Sequence, residues 1–351
     1  MKLPSRDLGE DLLAAGDRYL AALGPAVDAA DPEGLVAPRS RLLCAGLGLL
    51  AEAAYGALGG RGRAGEVGRA AAMLSLLTKI DDQVIDALAF HGGAGGERGA
   101  LRARTRAFLA PTLASIREGR PATTEPRCAL GAALGAAIRE LGGDPGRRER
   151  LLGTIAAGWE IQVDAVAVLT AHPATVTRAA VAEVTRSISG AWLLMIAMVG
   201  ALPGDTARPF SRAEEAEFFD WGWAIQRADA LADLAKDLGD GHLSSFPGVL
   251  LWERAGDAYL AAARRGDGAL LYTLVRAHDV EASCLPGEEE IASLRGTLAG
   301  LGEVPALLAW IHAYLVRRYH AHPLAGGGRA AAPIGGAERF FPGAEVVCSA
   351  P

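Results

Sequence analysis

An all-α fold is predicted by three features of the sequence. Apolar residues recur at helical rather than strand spacing, Ala and Leu dominate with little β-branched alternation, and Gly/Pro clusters punctuate the chain. With 351 residues, half of them hydrophobic, the chain can bury a substantial core as one large domain or two ordinary ones. No linker divides it into halves and no fixed internal period is evident. One helical domain over residues 1–321 is therefore expected, too large for a four-helix bundle. The last stretch, "HPLAGGGRAAAPIGGAERFFPGAEVVCSAP" (322–351), changes composition and reads as a Gly/Pro-rich tail.

Taken in order, the periodicity predicts a helix over 7–23 and a second over 36–58, ended by "GGRGR" (59–63). A third covers 64–90 up to "HGGAGG" (91–96). Helices over 98–118 and 127–141 follow, the latter ended by "GGDPG" (142–146). The next, over 146–170 and 175–201, run to "LPGD" (202–205). Helices over 211–239, 247–264 and 268–279 precede "LPGE" (285–288), and the last two cover 287–299 and 303–320. The glycines of "GLGLLAEAAYGALGG" (46–60) follow no strand, so a dinucleotide-binding loop is excluded.

The formal charge of −6, with no basic stripe, argues against a nucleic-acid partner. No run of about 18 uncharged apolar residues stands out as a membrane span. The nearest, "GAWLLMIAMVGALPG" (190–204), is too short and ends in Pro-Gly. The N-terminus lacks the basic-then-apolar layout of a secretory signal, and the expected setting is cytoplasmic. Cys44, Cys128, Cys284 and Cys348 show no CxxC spacing and read as buried or free thiols.

Two acidic clusters carry the functional signal. In "DDQVID" (81–86), Asp82 and Asp86 share a helix face, with Asp81 about 100° round from Asp82. In "QRADALADLAKDLGDG" (226–241), Asp229, Asp233 and Asp237 recur at i, i+4 and i+8 among Ala and Leu, with Lys236 nearby. A solvated acidic face is the plain reading of either cluster alone. Yet one follows directly on an apolar helix, and the other sits among apolar neighbours, where unpartnered carboxylates are costly. A hard divalent cation resolves this. Mg²⁺ takes oxygen ligands, keeps several waters, and is commonly shared between one or two carboxylates and substrate phosphates.

These motifs resemble those of the class I terpene synthases. "DDQVID" matches that family's aspartate-rich motif, and Asp229, Asp233 and Asp237 stand at the ligand spacings of its second metal motif. The resemblance implies a class I terpenoid synthase-like helical bundle around a central cavity, with Asp81, Asp82, Asp86, Asp229, Asp233 and Asp237 as ligands. It implies three Mg²⁺ ions, with Mn²⁺ as the alternative metal, and a prenyl diphosphate substrate; a homodimer is the oligomer considered. "TRSISG" (185–190) is similar to the family's helix-break element, which implies Arg186 as pyrophosphate sensor, Ser189 as linker and Gly190 as the residue whose carbonyl helps trigger ionisation. "VRRYH" (316–320) resembles its diphosphate-binding Arg-Tyr pair, here Arg318 and Tyr319. The resemblance spans roughly 80–320.

The ligand set departs from that family, since Asp-Asp-Asp replaces the usual Asn-Ser/Thr-Glu. The DxxxD pattern, present twice, is also that of squalene and phytoene synthases, and Gln226 stands seven residues before Asp233 as in their second motif. Their Ser-Lys-Ser-Phe and Gly-Arg-x-x-Leu-Pro elements are missing. In either case Arg186, Lys236, Arg318 and the Tyr319 hydroxyl would donate to the diphosphate leaving group. The cation left behind needs a dry pocket with π faces. Trp159, Trp192, Trp223, Trp310 and Tyr314 are the candidates for its wall, with core packing as the plainer role of each. The expected activity is cyclisation of a linear prenyl diphosphate. A head-to-head prenyltransferase and a non-catalytic helical interaction protein are the alternatives.

Overall fold

The computed structural model describes residues 7–91, 98–239, 241–322 and 324. Among these, helices and short turns make up the regular structure, with no strand. The elements are α1 (Leu8–Ala30), α2 (Pro38–Gly46), α3 (Gly48–Ala57), α4 (Ala64–His91), α5 (Arg98–Glu118), α6 (Pro126–Glu140), α7 (Pro145–Leu169) and α8 (Arg178–Val199). They continue as α9 (Arg212–Ala232), α10 (Leu234–Gly239), α11 (Phe246–Ala255), α12 (Asp257–Arg265), α13 (Gly268–Ala277), α14 (Val280–Cys284), α15 (Glu288–Thr297) and α16 (Val304–Ala321). The tail beyond Leu324, with Cys348, lies outside the described residues.

Where the observed ends differ from expectation, packing is the reason. Helix α1 runs through Pro25 to Ala30 instead of stopping at 23. The lost N–H bond at Pro25 is offset by burial of Val27 and Ala30 on the core face. The expected helix 36–58 is two helices hinged at Leu47. Glycines flank the hinge because a Cβ on Gly46 would lie 2.5 Å from the Leu12 carbonyl oxygen, and one on Gly48 would lie 2.4 Å from that of Gly68. The expected helix 247–264 breaks at Gly256, whose φ of +48° a side chain would resist. Helix α14 was not expected.

Two cores form. The larger joins α1–α9, α15 and α16 through residues such as Leu50, Leu74, Leu134, Ile155, Leu193 and Trp221. The smaller gathers α11–α14 around Tyr259, Tyr272 and Val275, and takes Val181 from α8, Leu231 from α9 and Tyr319 from α16. Helices α8, α9 and α16 thus belong to both, and the second acidic cluster lies where the two cores meet. Cys44, Cys128 and Cys284 are buried free thiols. Helices α7 and α8 are long and apolar enough to cross a membrane by length and composition, against the sequence expectation. Both pack on neighbouring helices here, α7 against α8 and α8 against α9.

The break expected at "SISG" does not exist: α8 is continuous from Arg178 to Val199. Gly190 serves a different purpose. A Cβ on Gly222 of α9 would fall 2.2 Å from the Gly190 nitrogen, and one on Gly190 would fall 2.6 Å from the Phe219 Cα. The two helices cross backbone to backbone, which only glycine at both positions permits. Gly190→Ala should therefore destabilise the fold by about 1–3 kcal/mol, the range of overpacked sites whose neighbours cannot give way. Chemical denaturation of the purified variant checks this, and an unchanged midpoint would refute the close crossing.

Candidate functional site

Helix α4 delivers the first acidic cluster. At about 100° per residue, Lys79, Asp82, Gln83 and Asp86 fall within one third of its circumference. All four line a single cavity of about 110 Å³. The opposite wall comes from α9 and α10, which present Gln226, Asp229, Ala230, Asp233, Lys236 and Asp237. The expected helix 211–239 is interrupted at Asp233, which caps α9. Hydrogen bonds from Asp233 N to Asp229 O and from Asp237 N to Asp233 O, both 2.8 Å, carry the turn across the interruption. The three carboxylates thus keep a common side. Helices α7 and α8 close the cavity with Gln162, Val166, Leu169, Thr185 and Ile188, the α10–α11 connection adds His242 and Ser245, and the first residue of α11 adds Phe246.

Five carboxylates in one recess need compensation, and the chain supplies part of it. Lys79 Nζ stands 2.6 Å from Asp82 Oδ2, and Gln162 Nε2 donates to Asp82 Oδ1 at 2.7 Å. Burial works against the Asp82 charge, but the Lys79 ammonium outweighs it and holds the carboxyl below its usual value. His242 Nε2 lies 3.3 Å from Asp86 Oδ1. Burial opposes its charge, yet the Asp86 carboxylate beside it pushes the imidazole up to about 9. Arg318 reaches from α16 to Asp233 and Asp229. Compensation is incomplete. Burial, and then the neighbouring Asp233, raise Asp229 to about 6. Burial is also the main cause that lifts Asp237 to about 8, against the pull of His242. Such a site has an unmet demand for positive charge.

The donor set fits a hard cation in kind, since every candidate is a carboxylate oxygen. Among the described residues, however, no three His, Cys, Asp or Glu side chains converge closely enough to hold an ion by themselves. The carboxylates stand as two banks across the cavity. Mg²⁺ suits that arrangement, because it binds through one or two carboxylates and completes its shell with water and phosphate oxygens.

The other expected residues are placed differently. Asp81 points away from the cavity, into a buried ion pair with Arg127 at 2.8 Å. Arg186 does not line the cavity; its guanidinium binds Asp220 on α9, at 3.0 and 2.7 Å. Ser189 Oγ is hydrogen-bonded to the Gln226 side chain, and Gly190 sits in the α8–α9 crossing. The effector role expected of these three rested on a helix break, and the intact helix keeps the Gly190 carbonyl in its ladder. The Arg318–Tyr319 pair is split. Arg318 faces the carboxylates, whereas Tyr319 faces the smaller core and donates to Glu281 at 3.1 Å. Nor do the expected aromatics line the cavity. Trp310 and Tyr314 stack on each other at 5.6 Å in the larger core, against which Trp192 packs, and Trp159 is buried within it. Phe246 is the aromatic in the lining, with Trp223 edge-on behind it at 4.8 Å.

Sequence reasoning overlooked Lys79, Gln162, Thr185 and Phe246. Lys79 was readable in principle, since it precedes Asp82 by three residues, the spacing of a helical ion pair. Gln162 and Phe246 reach the site from distant elements and carry no local signal.

No protein-family model and no curated protein sequence matches the chain. Solved structures do. The chain is similar to a geranylgeranyl pyrophosphate synthetase from the archaeon Geoglobus acetivorans, with 13% identity and a TM-score of 0.53, over 89% of this chain and 99% of that one. It is also similar to a polyprenyl synthase from Caulobacter crescentus CB15, complexed with calcium and isoprenyl diphosphate. There the identity is 15% and the TM-score 0.50, over 88% and 98% of the two chains. At these identities the likeness shows a shared fold, the all-α architecture of prenyl synthases.

The raised Asp237 carboxyl has a measurable consequence in metal-free protein. Between the ordinary carboxyl value of 3.8 and about 8, the folded state holds a proton that the unfolded state lacks. Ionisation of Asp237 therefore costs stability as pH rises through that window. Asp237→Asn, a neutral substitute of the same shape, should melt above the parent at pH 8.5 in chelator, by at least about 2 °C. The gap should close as pH falls towards 4. Thermal melts across that range test it, and a gap independent of pH would refute the raised, buried carboxyl of Asp237.

Proposed function

We propose that the chain is a metal-dependent terpene cyclase, which ionises one linear allylic prenyl diphosphate and quenches the cation after cyclisation. The observation that supports this reading is the convergence of Asp82 and Asp86 with Asp229, Asp233 and Asp237 on one cavity. The same cavity is lined by Lys79 and Lys236 and by apolar Val166, Leu169, Ile188 and Phe246. A polar bank for a diphosphate and an apolar wall for a hydrocarbon thus share one recess.

When bound, Mg²⁺ supplies Lewis-acid polarisation of the diphosphate oxygens. The two banks of carboxylates would hold it, with Lys79 and Gln162 fixing the rotamer of Asp82. Lys236 and Arg318 are the donors for the leaving group, on which charge grows in the transition state. Arg318 brings a planar two-pronged fork to that task. The Phe246 ring, in T-shaped contact with Trp223, would offer π density to an allylic cation. Val166, Leu169 and Ile188 keep water from it.

The second reading, chain elongation, draws on the names of the two similar structures, both prenyl synthases. It requires binding of a second diphosphate. Among the described residues, the cationic groups at hand are Lys79, Lys236 and His242 in the cavity lining and Arg318 at its carboxylates.

The test is incubation with C10, C15 and C20 allylic diphosphates and Mg²⁺, each alone and with isopentenyl diphosphate, followed by mass analysis of the extract and of released pyrophosphate. The cyclase reading expects a hydrocarbon or alcohol from a single diphosphate. A product formed only with isopentenyl diphosphate would replace it by elongation, and one formed from two allylic chains by head-to-head condensation. Asp82→Ala and Asp233→Ala should abolish turnover, and Arg318→Lys should lower it on the order of 10²–10³-fold. Absence of saturable, Mg²⁺-dependent pyrophosphate binding by calorimetry would make the acidic faces non-catalytic.

A further inference from the structure

Asp81 is the first residue of the acidic motif, yet it does not face the cavity. With Asp81 at 0° on the α4 wheel, Asp82, Asp86, Lys79 and Gln83 lie at about 100°, 140°, 160° and 200°. The cavity face is thus centred roughly opposite Asp81, and the rotation of α4 that presents Asp82 and Asp86 to it turns Asp81 away. What Asp81 does face is built. It is 2% exposed, and its Oδ1 accepts from Nη1 of Arg127, itself 8% exposed, at 2.8 Å. The same Nη1 lies 3.3 Å from Thr112 Oγ1 on α5, and Nη2 binds Glu125 Oε2 at 2.6 Å, directly before α6. The guanidinium also lies 3.7 Å from the centre of the Phe108 ring on α5. One side chain therefore ties α4 to α5 and to the start of α6.

We propose that Arg127 is a positioning residue for the candidate metal site: through Asp81 it sets the rotation of α4 so that Asp82 and Asp86 face the cavity, and it withdraws Asp81 from the ligand set. The inference rests on the metal-site reading above. A buried ion pair gives little net stability over a well-packed apolar pair, so its clearer use is to select one arrangement. Here the arrangement selected is helical rotation. The Arg127 fork is suited to it, because both of its terminal nitrogens and its stacking face are engaged at once.

The experiment is a Mn²⁺ titration of the full chain followed by electron paramagnetic resonance, with inorganic pyrophosphate present, at a temperature well below every variant's melting point. Asp81→Asn keeps an acceptor for Arg127 and should bind Mn²⁺ within about twofold of the parent. Arg127→Met loses the clamp and should bind about 10–100-fold more weakly, the range for groups that orient metal ligands. Arg127→Lys, which retains only the charge, should fall between the two and serves in place of Arg127→Met if that variant does not fold. The opposite pattern, a large loss in Asp81→Asn with Arg127→Met unaffected or tighter, would make Asp81 a ligand and overturn the proposal. A lowered melting point in Arg127→Met with unchanged Mn²⁺ affinity would make Arg127 merely structural and also overturn it. Asp82→Asn separates the two levels. It must weaken Mn²⁺ binding, and if it does not, the cavity is not the metal site and the positioning role falls with that reading.

Discussion

The placement of five carboxylates around one half-buried cavity is the constraint on which the rest of this structure depends. Each charge loses hydration there and repels its neighbours, so such a group persists only where cations are built in or recruited. The fold provides Lys79 to Asp82, His242 to Asp86 and Arg318 to Asp233. These come from α4 itself, from the α10–α11 connection and from α16, so three separate parts of the chain are held by the same electrostatic demand. What they leave unmet shows in the raised carboxyls of Asp229 and Asp237.

The helical framework brings the two acidic banks together by close backbone approach. The Gly190–Gly222 crossing lets α8 and α9 lie closer than side chains would allow, and α8 in turn packs on α4 and α7. The second bank sits where the larger core gives way to the smaller one, at the α9–α10 interruption. A straight helix would have carried Asp229, Asp233 and Asp237 along one line. The interruption at Asp233 leaves them on a common side while redirecting the chain towards His242 and Phe246, which complete the cavity.

Much of the architecture was legible in the sequence because it depends on local pattern. Helical periodicity and Gly/Pro punctuation place α4, α5, α7 and α16 to within a few residues. The i, i+4 spacing alone puts Asp82 with Asp86, and Asp229 with Asp233. Departures arise where a long-range contact overrides the local signal. Pro25 reads as a stop, yet α1 continues because Val27 and Ala30 are buried beyond it. Gly190 reads as a break, yet it is needed for a helix crossing. An Arg-Tyr doublet reads as one functional unit, but adjacent helical residues point about 100° apart, and Tyr319 turns into the smaller core towards Glu281.

By itself, then, the sequence determined the all-helical class, the order of the elements and the carboxylate faces, since each follows from spacing along a helix. Tertiary structure alone decided which carboxylate of "DDQVID" is withdrawn from the cavity into a buried ion pair, which cation answers each of the others, and which aromatic reaches the cavity. Those outcomes depend on residues such as Arg127, Gln162, His242 and Phe246, which lie far along the chain from the groups they meet. Their side chains carry no periodic signal, and only the packing of α4 against α5, α6, α7 and α8, and of α11 against α8 and α9, brings them into range.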